Sequence, residues 1–206
     1  MEKRLIHLVD DDESIRRSAS FMLKTSGFDV VTYASGVLFL KALKGIALGC
    51  ILLDVRMPEM DGLEVQRELR SRGVGMPVIV LTGHGDVSTA VQAMKDGAFD
   101  FIEKPFEKAI LLESIESAFA RLERSDSAVE SAQAAAVKIA ALSPREQDVL
   151  RGLVRGHPNK TIGYDLGISP RTVEIYRANL MTKLEVRSLS EALRVAFAAG
   201  LAEELT

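Results

Sequence analysis

The sequence predicts an α/β doubly wound parallel sheet of five strands, followed by a small all-α domain of four helices. Three observations carry this. Short apolar runs alternate with helical periodicities over residues 1–122. Those runs end repeatedly in charged or hydroxyl residues, as strands do at the working edge of a parallel sheet. Residues 142–206 then show helical spacing alone.

Leu5-Ile6-His7-Leu8-Val9 is the first strand, and Asp10-Asp11-Asp12 ends it. Ile15, Ala19, Met22 and Leu23 recur at helical spacing until Gly27, and Asp29 to Tyr33 is the second strand. Ser35 is placed to cap a short helix through Leu43. Cys50 leads into Ile51-Leu52-Leu53-Asp54, apolar enough for a strand covered on both faces. Pro58 and Gly62 punctuate the loop after it, and Leu63, Val65 and Leu69 mark the next helix. Pro77 to Leu81 is the fourth strand and runs into Thr82. A helix over Asp86 to Asp96 carries Val87, Ala90, Val91 and Met94, with Gly97 at its stop position. Phe99 to Glu103 is the fifth strand and leads into Lys104-Pro105. Ile110, Leu111, Ser114, Ile115, Ala118, Phe119 and Leu122 give the clearest helical stripe. For such a chain the common strand order is 2-1-3-4-5.

Residues 123–141 are rich in Ala, Ser, Glu and Gln and lack Gly and Pro. They form a linker, either a helix continuous with the one before or a structureless tether. Ser143-Pro144-Arg145-Glu146 is a capping box with proline at the first helical position. Val149, Leu150, Leu153 and Val154 continue that helix to Gly156. Asn159 starts a second helix with Ile162 and Leu166, Gly167 turns the chain, and Pro170 opens a third with Val173, Tyr176, Leu180 and Leu184. Ser190 is placed to cap a fourth, ending at Gly200. The expected division is 1–122, a linker 123–141, and 142–206.

The 206 residues are 47% hydrophobic and 27% charged, an ordinary globular profile. The net charge of −3 hides a split. Residues 1–122 hold 15 Lys/Arg against 18 Asp/Glu; residues 143–187 hold 8 against 5. A polyanion partner is therefore expected for the second half only. The single cysteine, Cys50, has no internal disulfide partner. No signal peptide and no apolar run near the roughly 20 residues of a membrane span are present, so a cytoplasmic location is expected.

Asp54 at a strand's carboxyl end can act as a nucleophile and accept a phosphoryl group on a carboxylate oxygen. Both groups are anionic, so a divalent cation is needed to offset their repulsion. Mg²⁺ prefers oxygen ligands and is typically held by one or two carboxylates. Asp10-Asp11-Asp12 exceeds the needs of a helix start, which Asp12 alone serves. Lys104 offers a point charge for phosphoryl oxygens, and a Lys-Pro bond at a strand end can be cis and fix where the ammonium points. Thr82 offers a hydroxyl, and gains a role only through these neighbours.

Asp10-Asp11, Asp54, Thr82 and Lys104-Pro105 together resemble the phosphoacceptor set of response-regulator receiver domains of two-component systems, which have a flavodoxin-like fold. The resemblance covers roughly residues 1–122. It implies Mg²⁺ held by Asp11 and Asp54 directly, by Asp10 through water and by the backbone carbonyl of Arg56. It assigns Asp54, Thr82 and Lys104 to the phosphoryl chemistry, and Thr82 with Phe101 to a switch. Phe101 has no hydroxyl and reads equally as a core residue. His84, in a Gly-His-Gly loop, is read as a solvated loop residue.

The second and third C-terminal helices form a helix-turn-helix pattern. An all-α interaction module has the same apolar spacing, and the cations Lys160, Arg171, Arg177 and Lys183 favour DNA. Leu142-Ser143-Pro144-Arg145-Glu146, Asn159-Lys160, Ile168-Ser169, Thr172-Val173 and Lys183-Leu184 resemble the LuxR/NarL-type output domain. With Gly83-His84-Gly85-Asp86 and Phe101-Ile102-Glu103-Lys104-Pro105-Phe106, the nearest subgroup is FixJ-like. The DNA-binding set is then Lys160, Arg171, Thr172, Glu174, Ile175, Arg177, Ala178 and Lys183. Glu174 can accept from cytosine N4 or pair with Arg171 or Arg177.

The resemblance implies a transcription factor phosphorylated at Asp54 by a sensor histidine kinase, with no enzymatic activity beyond its own phosphorylation and dephosphorylation. Its expected partners are that kinase, double-stranded DNA, a second copy on phosphorylation and RNA polymerase, with no membrane. Val91, Lys95 and Asp100 are the expected dimer face, with Lys95 of one chain meeting Asp100 of the other. An aspartate-nucleophile phosphatase would share Asp54 and Mg²⁺, but carries a second aspartate where this chain has Arg56. A constitutive DNA-binding module would have no need of the intact acidic set.

Overall fold

The computed structural model describes residues 4–83, 87–123 and 128–201. In chain order the elements are β1 (Leu5–Val9), α1 (Glu13–Thr25), β2 (Asp29–Tyr33), α2 (Gly36–Ala42), β3 (Cys50–Asp54), α3 (Gly62–Ser71), β4 (Val78–Thr82), α4 (Val87–Lys95), β5 (Asp100–Glu103) and α5 (Lys108–Glu123). There follow α6 (Ala128–Ala140), α7 (Pro144–Val154), α8 (Asn159–Leu166), α9 (Pro170–Leu184) and α10 (Leu189–Ala198). By contact the chain forms two compact units, residues 1–84 with 96–125, and residues 85–95 with 126–206.

The first unit is a five-stranded sheet in the order β2-β1-β3-β4-β5, with all four pairings parallel. The inner strands β3 and β4 are buried at every residue, which is why their sequences are apolar without alternation. Ile6, Leu8, Leu52, Ile79 and Leu81 meet Leu23 of α1 and Leu111 and Ile115 of α5 in one core cluster. Asp12 caps α1 by accepting from the backbone N–H groups of Ser14 and Ile15. Asp61 and Glu64 form a reciprocal capping box on α3. Ser35 caps α2 as expected.

His7 is a polar residue in the middle of a buried strand. It is 1% exposed, its Nε2 donates to the carbonyl of Ala47 at 2.9 Å, and Tyr33 Oη lies 3.4 Å from Nδ1. The ring also packs against Phe39. Burial lowers its pKa, so the folded chain holds the imidazole neutral. The stability this arrangement contributes is complete above the ordinary histidine pKa and declines as pH falls below it. Urea midpoints should therefore drop as pH is lowered from 7 toward 5, and less steeply in His7→Gln. Parallel pH profiles for the two proteins would assign the acid sensitivity elsewhere.

The helical unit is built on Val149, Leu150, Leu153, Ile162, Val173, Leu180, Leu184 and Leu193, each at most 1% exposed. Ser143 and Glu146 form the expected capping box on α7. Gly167, at φ 67°, turns the chain between α8 and α9 in the left-handed conformation that favours glycine. The cap of α10 differs from expectation. Ser188 holds that place and accepts from Glu191, while Ser190 is buried inside the first turn. The segment expected as a linker is helical over Ala128–Ala140.

The contact units also differ from the expected division, since α4 groups with the C-terminal helices. The helices it meets most are α10 and α7, and Ala90, Val91, Ala93 and Met94 are buried. His84, Gly85 and Asp86, including the expected helix start at Asp86, lie outside the described residues. Among the described residues no helix is long and apolar enough to cross a membrane.

Candidate functional site

Parallel pairing brings the carboxyl ends of β1, β3, β4 and β5 to one edge of the sheet. Asp10 follows β1, Asp54 ends β3, Thr82 ends β4 and Lys104 follows β5. Backbone bonds fix these ends against each other. Lys104 N–H donates to the carbonyl of Thr82 at 2.6 Å, and Val55 N–H donates to that of Leu81 at 3.0 Å. The loop after β3 folds back, with Gly62 N–H donating to the Val55 carbonyl at 2.8 Å. A Cβ on Gly62 would fall 2.1 Å from the carbonyl oxygen of Asp54, so only glycine fits there.

Asp10, Asp54 and Thr82 are 1%, 5% and 2% exposed, burial that such polar groups tolerate only with partners. The ammonium of Lys104 supplies one to both carboxylates. It donates to Asp10 Oδ2 at 2.6 Å and to Asp54 Oδ1 at 2.5 Å. Burial pushes the carboxyl pKa of Asp54 up, Lys104 opposes the push, and the charges of Asp10 and Asp11 add to it. Burial works to lower the pKa of Lys104, but its hydrogen bonds to Asp10 and Asp54 outweigh that and raise it. The ammonium is thus held protonated. The Lys104-Pro105 bond is cis.

The acidic corner is pinned from below. Asp10 Oδ1 accepts from Asp12 N–H at 2.9 Å, and one guanidinium nitrogen of Arg16 donates to the carbonyls of both Asp10 and Asp11 at 2.7 Å. Asp11 is exposed, as is Arg56 on the loop after β3. Among the described residues no three carboxylate, imidazole or thiolate groups converge in a way that could hold a metal ion. Two carboxylates do converge, since Asp10 and Asp54 already share one cation. A pair of carboxylate oxygens suits a hard divalent ion that keeps most of its water. The donor set therefore fits Mg²⁺, with the expected ligand Asp11 next in sequence to Asp10 at the same sheet edge. The link between Lys104 and Asp10 was not legible in the sequence, because nothing local joins residues 94 positions apart.

Phe101 is half-buried in β5. The expected dimer face looks different in the structure. Val91 is 3% exposed, and the carboxylate of Asp100 is already engaged by Ser114 Oγ at 2.5 Å and its neighbour's Phe101 N–H at 2.8 Å. Asp100 thus has two partners within its own chain. Lys95 is exposed.

In the helical unit, Lys160 on α8 and Arg171, Glu174, Ile175 and Ala178 on α9 are exposed. Thr172 is half-buried, its Oγ1 lying 2.8 Å from the capping Ser169 Oγ. Glu174 lies 3.9 Å from Arg171, the loose pairing foreseen as its alternative role. Arg177 is half-buried and donates to Asn159 Oδ1 at 2.8 Å. Lys183 donates to Glu146 Oε2 at 2.7 Å. Tyr164 on α8 is 88% exposed, and sequence reasoning did not single it out.

Comparison with known proteins agrees with both halves. Residues 6–116 match the response regulator receiver domain, and residues 140–196 match the luxR family of bacterial regulatory proteins. The transcriptional regulatory protein FixJ of Azorhizobium caulinodans is 49% identical over 197 residues, covering 96% of this chain and 93% of the relative. The response regulator protein TodT of Pseudomonas putida is 39% identical over 191 residues, 93% of this chain and 84% of its own. The crystal structure of full-length FixJ from B. japonicum covers 97% of this chain and 98% of its own, at 46% identity and a TM-score of 0.59. A separate structure of the FixJ N-terminal part covers 57% of this chain at a TM-score of 0.55. With reactive groups gathered at one sheet edge and a helix-turn-helix in the C-terminal part of the chain, the protein belongs to the two-component response regulators, as a receiver domain joined to a LuxR-type DNA-binding domain that regulates transcription.

Proposed function

We propose that Asp54 is the phosphoacceptor and that its phosphorylation switches DNA binding on. The observation that carries this is the shared ammonium of Lys104, which sets Asp54 beside Asp10 at the edge where a donor can reach it. A phosphoryl group moves from an imidazole nitrogen of a sensor kinase to a carboxylate oxygen of Asp54, forming a P–O bond as the P–N bond breaks. Bound Mg²⁺ offsets the charge of the incoming group. Asp11, Asp54 and the Arg56 carbonyl would hold it directly, and Asp10 through water. Thr82 turns toward the phosphoryl group and Phe101 follows.

Once Asp54 is phosphorylated, Val91 and Lys95 pair two chains. Lys95 of one chain then meets Asp100 of the other, whose carboxylate keeps acceptor sites beyond its bonds to Ser114 and Phe101. The dimer then binds paired DNA half-sites in the cytoplasm and engages RNA polymerase there.

Labelling with acetyl phosphate in Mg²⁺, followed by peptide mapping, should place the phosphoryl group on Asp54. In Asp11→Ala the Mg²⁺ concentration for half-maximal labelling should rise at least about tenfold, since losing a direct ligand costs no less than losing an outer-shell partner. Modification of another residue removes the phosphoacceptor assignment, and an unshifted Mg²⁺ titration removes Asp11 from the ion's surroundings.

A further inference from the structure

The cations of α9 divide into two sets. Arg171 and Lys183 are both exposed, but Arg171 is only loosely paired. Arg177 and Lys183 are tied to other helices. Arg177 Nη1 donates to Asn159 Oδ1, on the first residue of α8, at 2.8 Å. Lys183 Nζ donates at 2.7 Å to Glu146, whose side chain is 5% exposed and whose carboxylate also accepts from Ser143 N–H to cap α7. The recognition helix is thus anchored near its middle to the start of α8, and at its end to the start of α7. The turn between α8 and α9 is equally tight, for a Cβ on Gly163 would lie 2.8 Å from the carbonyl oxygen of Ile168.

We propose that Arg177 and Lys183 are positioning residues that set the angle of α9, and do not belong to the phosphate contacts. This rests on the DNA-binding role of the unit. Phosphate contacts hold a protein on any duplex, whereas base-edge contacts need the helix at one angle. Loss of an anchor therefore weakens the preferred sequence and leaves other DNA nearly unaffected. Loss of a phosphate contact weakens both alike and lowers the salt slope by about 1.

The discriminating variant is Asn159→Ala, which removes the anchor of Arg177 and touches no cation. The probes are a duplex selected from a random pool by the full-length parent, and a scrambled duplex of the same length and composition. Asn159→Ala and Arg177→Met should each lower the preference between them about tenfold, the scale of one lost charged hydrogen bond. The double variant should lose no more than either single one, because both remove the same contact. Neither should change the salt slope. Lys183→Gln combined with Glu146→Gln exchanges the ion pair for a neutral one without stranding a buried carboxylate, and should keep both preference and slope. Thermal melts establish that each variant is folded at the assay temperature. A slope reduced by about 1 in Arg177→Met, or in the double glutamine variant, makes that cation a phosphate contact and overturns its assignment. An Asn159→Ala protein with full preference overturns the anchor. If the parent itself enriches no duplex, the DNA-binding reading fails first, and visibly so.

Discussion

Asp54→Asn is expected to lose phosphoryl uptake completely and to stay folded. The amide is nearly isosteric with the carboxylate but has no anionic oxygen to attack phosphorus. Its carbonyl can still accept from Lys104, which also keeps its bond to Asp10. Burial works against the charge on Asp54, so a neutral side chain relieves part of that cost. Unfolding free energy should therefore remain within about 1 kcal/mol of the parent. Stoichiometric labelling of the variant by its kinase would sink the assignment of the acceptor.

Gly62→Ala should damage both stability and chemistry. Its added Cβ would sit 2.1 Å from the Asp54 carbonyl oxygen and 2.9 Å from the carbonyl carbon, both backbone atoms that cannot rotate away. Either the start of α3 or the end of β3 must shift. Overpacking of this kind costs roughly 1–3 kcal/mol. The shift acts on the residue that carries the nucleophile, and a displacement near 1 Å is enough for about a hundredfold loss of rate. Denaturant unfolding and the rate of acetyl-phosphate labelling check the two effects. A variant with parental stability and rate would mean that the loop yields without moving Asp54.

The strands were legible because their chemistry is local. Leu5–Val9 and Asp29–Tyr33 are bounded by their own sequence, and uninterrupted apolar residues announced that β3 lies at the centre. The gathering of Asp10, Asp54, Thr82 and Lys104 was legible once those strand ends were placed on one edge. Side-chain partnership was not. Arg177 and Lys183 look in sequence like any cations on a helix, and only packing reveals Asn159 and Glu146 beside them. The bond of Asp100 to Ser114 was likewise hidden, since the two lie 14 positions apart on different elements. The burial of Val91 was not legible either, because a periodicity marks a helix face without saying what covers it. Burial by distant elements is a tertiary fact, and it decided each of these cases.

The four reactive groups come from residues 10, 54, 82 and 104, contributed by the ends of four separate strands. No fragment short of the whole sheet can assemble them. A chain still emerging from the ribosome has Asp54 long before it has Lys104, and so carries the acceptor without its surroundings. A misregistered or partly melted sheet is in the same position. On the proposed reading, phosphorylation of Asp54 is therefore restricted to chains whose sheet is complete.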